Sequence, residues 1–98
     1  MTLGHDYDTR PFQWATIFVH DETDEESYKA LEAVYLWTQD ADIELHVKAI
    51  NNRNIKEYAL EPGPLGVPPV TLRWFNYETG EARREFKGLK EILEFVTP

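Results

Sequence analysis

The run Trp14-Ala15-Thr16-Ile17-Phe18-Val19 constrains the fold more than any other stretch of the chain. It is short, apolar and β-branched, and it does not alternate. A strand of that kind is buried on both faces, so it belongs at the centre of a sheet with a layer on each side. The next residues supply one such layer. In Thr23-Asp24-Glu25-Glu26, a threonine precedes a glutamate by three positions, the spacing of a capping box. The Thr23 hydroxyl would accept the Glu26 N–H, and the Glu26 carboxylate would reach back to the Thr23 N–H. Asp24 and Glu25 complement the positive end of the helix dipole. A helix is predicted from Asp24 to about Thr38, buried along Ala30, Leu31, Val34 and Trp37/Thr38, and broken by Gln39 to Asp42.

Ile43-Glu44-Leu45-His46-Val47-Lys48 alternates with period two. Ile43, Leu45 and Val47 share one side, as in an edge strand with one solvated face. Asn51 or Asn52 caps a short helix over Arg53 to Leu60, with Ile55 and Ala59 inward. Pro62 to Pro69 is a rigid loop after a helix stop. Val70 to Phe75 and Ala82 to Phe86 are strands joined by a turn over Asn76 to Glu81, with Gly80 suited to a left-handed position. Leu89, Ile92, Leu93 and Val96 give a closing amphipathic helix. The order is βαβαββα over residues 14–98, one domain, preceded by a polar stretch, 1–13, that reads as a flexible leader.

The chain has 98 residues and no cysteine, with 18 acids against 10 Lys and Arg, a net charge of −8. Without cysteine there is no disulfide, thiolate nucleophile, iron–sulfur cluster or cysteine-ligated zinc. The negative charge argues against direct binding to nucleic acid or an anionic membrane. No apolar run approaches the roughly 20 residues of a spanning helix, and no basic-then-apolar leader is present, so a cytoplasmic location is expected. The charge is uneven. Met1 to Val47 holds eleven acids and two bases, whereas Lys48 to Pro98 holds seven acids and eight bases. The acid concentrates at Asp21, Glu22, Asp24, Glu25 and Glu26, and again at Asp40, Asp42 and Glu44.

The element order, with Gly66-Val67-Pro68-Pro69-Val70-Thr71-Leu72, resembles the thioredoxin/glutaredoxin superfamily, whose members carry a Val-Pro or Ile-Pro pair before the third strand. Trp74-Phe75, Thr79-Gly80-Glu81 and Phe86-Lys87-Gly88-Leu89 are similar to thioredoxins. The resemblance spans Trp14 to Val96. It implies an α/β fold: a mixed four-stranded sheet in the order 2-1-3-4 with helices on both faces. It also implies a cis-proline at Pro68 or Pro69, with Val67 offering backbone groups to an extended peptide. The redox members hold Cys-x-x-Cys, or its first Cys, at the start of the first helix. Counted from the first strand, those positions fall on Thr23 and Glu26, which cannot exchange disulfides. A thiol–disulfide oxidoreductase is therefore excluded.

The chain reads as a redox-inactive protein-interaction or regulatory module, not as an enzyme. It would dock a protein with a basic surface through the groove at Val67, Pro68 and Pro69 and through the acidic rim of Asp21, Glu22, Thr23, Asp24, Glu25 and Glu26. One alternative is a glutathione-dependent or other non-thiol enzyme using Thr23, although the carboxylates around it would repel anionic glutathione. Another is an acidic regulator, of viral origin for instance, that blocks a nucleic-acid-binding protein. Tyr35, Leu36 and Trp37 widen the apolar face of the first helix beyond one stripe and are candidates for an interface, including a homo-oligomer. The basic residues Arg73, Arg83, Arg84, Lys87 and Lys90 on the hairpin would suit head-to-tail contact with the acidic helix start. Arg73 is expected to pair with Glu85 or Glu81 on the surface. His5, His20 and His46 fit no metal-ligand spacing, and no cofactor is implied.

Overall fold

β1 (Gln13–Val19) runs through the middle of the sheet, as its unbroken apolar run requires, and Ala15 to Val19 are all buried. The computed structural model describes residues 13–21, 23–76 and 84–97. β2 (Glu44–Ala49) lies parallel to β1 on one side, and β3 (Thr71–Asn76) lies antiparallel to it on the other. β4 (Arg84–Lys87) pairs antiparallel with β3, which completes a mixed sheet in the order β2-β1-β3-β4. This is the expected strand order. Of the leader predicted over 1–13, Gln13 belongs to β1 and residues 1–12 lie outside the described residues, as do the turn with Gly80, Glu22 and Arg83.

Side chains alternate across the sheet and divide two cores. Ala15, Ile17 and Val19 of β1 join Val70 and Leu72 on one face. There they meet α1 (Glu25–Ala41) through Ala30 and Val34, and α3 (Gly88–Val96) through Ile92 and Val96. Each fully buried Ile, Leu or Val contributes roughly 1.5–3 kcal/mol. At one end, Trp37, Trp74 and Phe95 pack edge-on or tilted with centroids 5.2–6.2 Å apart, and Phe86 stacks on Phe95 at 4.1 Å. The opposite face carries Phe18 and Arg73. It is covered by the chain following the short helix α2 (Asn52–Glu57), with the Tyr58 ring 5.1 Å from Phe18.

Several local expectations are corrected. The cap of α1 is Asp24, whose carboxylate accepts the Ser27 N–H at 3.0 Å, so the capping box at Thr23 and Glu26 does not form. Thr23 is instead held by Asp21, whose Oδ1 accepts both its N–H and its hydroxyl at 2.9 Å. α1 also runs three residues past Thr38. It ends at Asp42, in the left-handed region at φ 57°, a conformation Asp tolerates; the Asp42 and Ile43 N–H groups both donate to the Thr38 carbonyl. α2 is capped by Asn51 and stops at Glu57. Ala59 then takes φ 50° and is exposed, while Leu60 turns inward in its place. Val47 is 48% exposed rather than covered, because α1 shields the Ile43 end of β2 more than its middle.

Arg73 is buried, not on the surface. Its Nε donates to Glu85 Oε2 at 2.6 Å, its Nη2 to the Ala59 carbonyl at 3.4 Å, and its guanidinium lies 5.6 Å from the centre of the Phe18 ring. No peptide bond among the described residues is cis, so Val67–Pro68 and Pro68–Pro69 are both trans, contrary to the cis-proline expected there. The approach to β3 is shaped instead by a tight loop. Gly63 N–H donates to the Val67 carbonyl at 2.8 Å, and Gly66 N–H, at φ 83°, donates to the Gly63 carbonyl at 2.9 Å. A Cβ on Gly63 would stand 3.1 Å from the Val67 carbonyl oxygen.

Candidate functional site

Two segments far apart in sequence meet at the end of β1. His20, the first residue after the strand, donates its backbone N–H to Ser27 Oγ at 3.0 Å. Its ring reaches the other way, with Nε2 2.6 Å from the Pro68 carbonyl oxygen. A carbonyl only accepts, so Nε2 carries the proton. One residue thus ties the start of α1 to the Val67-Pro68 loop. Sequence reasoning passed over His20 because its partner lies 48 positions away and no local pattern announces it.

The helix start presents its carboxylates to solvent. Asp21, Asp24, Glu25 and Glu26 are all exposed. Asp24 caps the helix, Glu25 pairs with Lys29 at 2.9 Å one turn on, and Asp21 closes the turn over Thr23. The Asp21 carboxyl is held below its usual range, first by the Thr23 backbone N–H and second by the Thr23 hydroxyl. The Thr23 hydroxyl is spent as a donor in this turn. The positive end of the helix dipole is already met by these acids, and an anionic ligand would be repelled.

The loop presents apolar surface next to that acid. Pro68 is buried and Pro69 half-buried, while Val67 is 57% and Leu65 92% exposed. The Val67 carbonyl accepts the Gly63 N–H at 2.8 Å, which fixes its direction within the loop. Further along α1, Tyr35 and Leu36 are exposed, whereas Trp37 is half-buried in the aromatic cluster with Trp74 and Phe95.

Other hollows lie away from this corner, and three of them adjoin α1 or β2. One, of about 400 Å³, lies between α1 and β2 and is lined by Tyr28, Leu31, Glu32, Tyr35, Leu45 and Val47. Another, of about 340 Å³, lies between α1 and α3 beside Leu36 and Val96. The third, of about 440 Å³, lies on the opposite face of the sheet, where Trp14 stacks on Phe75 beside Glu44, His46 and Lys48. Among the described residues no group of three or more His, Asp or Glu is placed to hold a metal ion. His46 bonds Glu44 at 2.7 Å and His20 bonds Pro68. Nor is any helix among them long and apolar enough to cross a membrane. Compared with known proteins, the chain matches no family model and no curated protein.

Proposed function

We propose that the chain is a thioredoxin-like domain without thiol chemistry that binds a partner protein at the corner joining the start of α1 to the Val67 loop. The observation that carries this reading is the His20 bridge, which ties the loop bearing exposed Leu65 and Val67, at Pro68, to the helix start that bears the exposed carboxylates, at Ser27. A rigid apolar contact with a charged rim is the usual anatomy of a recognition surface. The rim sets the sign of the partner: Asp21, Asp24, Glu25 and Glu26 favour a basic surface and would speed its approach. The exposed Leu65 and Val67 side chains supply the apolar part of the contact at the loop.

The sheet order and the closing helix support the thioredoxin-like resemblance. In that family the first thiol stands at the cap of the first helix. Aligned by the cap, the two thiol positions fall on Asp24 and Ser27, one residue later than the sequence count suggested. Both carry oxygen, so neither forms a disulfide, and Ser27 is buried where it accepts the His20 N–H. Affinity capture on the full chain, with mass spectrometry and the variants Val67→Asp and Glu25→Lys, tests the site. Both variants should lose a partner that the unaltered chain retains. Retention of the same partners by both, or capture of none, overturns the assignment.

A further inference from the structure

Among the described residues, β2 is the last strand on its side of the sheet and pairs only with β1. Such an edge offers a row of backbone donors and acceptors to another strand. Folded proteins often blunt an edge with a proline, a bulge or a charge turned inward. β2 has neither proline nor inward charge: Leu45 and Val47 face the α1 side, and Glu44, His46 and Lys48 face the other. The strand ends at Ala49, whose carbonyl accepts the side-chain amides of Asn51 and Asn54, leaving Glu44-Leu45-His46-Val47-Lys48 as the exposed edge.

That five-residue edge is complementary to itself when reversed. Set antiparallel about His46, Glu44 stands opposite Lys48 of a second copy, Leu45 opposite Val47, and His46 opposite His46. Opposite charges and apolar pairs across an antiparallel ladder each contribute roughly 0.2–1 kcal/mol, and like charges there are destabilising. Shifting the register by one residue moves the apolar pair to the wrong face. Moving it by two breaks the charge match. The charges on this edge therefore repel many strands but not a copy of themselves.

We propose that β2 pairs antiparallel with β2 of a second copy of this chain, in the register centred on His46, to give a symmetric dimer with one continuous eight-stranded sheet. The contact is isologous and closes on itself, so it makes a dimer and not a fibre. On the helix side, the groove of about 400 Å³ beside each β2 meets its copy across the dyad. Val47, 48% exposed, and Tyr35, 53% exposed, then gain apolar neighbours. The net charge of −8 opposes approach, but charges beyond about 10 Å are screened at 0.1 M salt. The surface is separate from the His20 corner, and the two assignments stand or fall independently.

Sedimentation equilibrium of the full chain from micromolar to millimolar concentration is the test. The unaltered chain should approach twice its 11.5 kDa mass as concentration rises. Lys48→Glu sets like charges opposite at both ends of the strand pair and should weaken association at least tenfold. The double variant Glu44→Lys/Lys48→Glu restores the match with its signs exchanged and should restore the dimer. Because Lys48 also lies 5.5 Å from the Tyr58 ring centre, thermal melts accompany both variants, and the rescue separates lost pairing from lost folding. A monomer at every concentration, or a dimer indifferent to Lys48→Glu, overturns the proposal. So does concentration-independent protection of the β2 amides that disappears on deleting residues 1–12, which would put the leader on this edge.

Discussion

Asp21 and Thr23 show how one side chain can redirect a local pattern. Thr23-x-x-Glu26 and Asp24-x-x-Ser27 are both acceptable starts for a helix, and they are offset by a single residue. Asp21 captures Thr23 with one carboxylate oxygen, which leaves Asp24 to cap. Since the backbone N–H of Thr23 is the larger cause of the lowered Asp21 pKa and the hydroxyl the smaller, Thr23→Val removes only part of the effect. The Asp21 carboxyl, followed by NMR against pH, should move partway back toward its usual range in that variant. No movement, or a complete return, would contradict the assigned order of causes. His20 lies at the same scale but was not legible. A histidine after a strand reads as a loop residue until the fold brings Pro68 to its ring.

At the scale of elements, the strand pair β3–β4 holds the most consequential polar contact. Arg73 and Glu85 stand opposite each other, and the arginine side chain is 5% exposed against 26% for the glutamate. Removing Glu85 leaves a buried guanidinium without its carboxylate, so Glu85→Ala should cost roughly 3 kcal/mol in denaturant unfolding, the lower end for a broken buried pair. A loss under 1 kcal/mol would mean that water reaches Arg73. A second contact, Glu61 to Lys87, links the loop after α2 to β4 at the surface. Its hydrogen bond and charge hold the Glu61 carboxyl below its usual value and raise the Lys87 ammonium above its own. The Glu61 contribution is therefore present above the ordinary glutamate range and lost as pH falls through its lowered pKa. The Lys87 contribution is full below the ordinary lysine range and lost as pH rises through its raised value. The difference in melting temperature between the unaltered chain and Glu61→Gln should be small near neutrality, as for exposed pairs, and vanish in strong acid. The elements themselves were largely legible: an unbroken apolar run gave β1, a β-branched and aromatic stretch after the proline loop gave β3, and helical spacing gave α1 and α3. The exposure of Val47 and the burial of Arg73 were not. Period two states which side a residue faces, but not how far a neighbouring helix or loop extends over it.

For the whole molecule, the apolar run of β1 and the alternation of β2 pointed to a central and an edge strand, the full order was what the thioredoxin-like resemblance implied, and the sheet has that order. Charge is also organised at this scale. The acid excess of the first half gathers at the start of α1, beside the apolar loop that His20 holds there. Under the proposed thioredoxin-like reading, the absence of cysteine removes thiol–disulfide chemistry from that helix start. The most direct test of this account is calorimetric titration of the captured partner against the full chain, Val67→Asp and Glu25→Lys at low and at high salt. Val67→Asp should weaken binding about tenfold or more at both salt concentrations, which is about 1.4 kcal/mol. Glu25→Lys should weaken it at low salt, with a difference that shrinks as salt screens the rim. Equal affinities for all three proteins at both salt concentrations would contradict it.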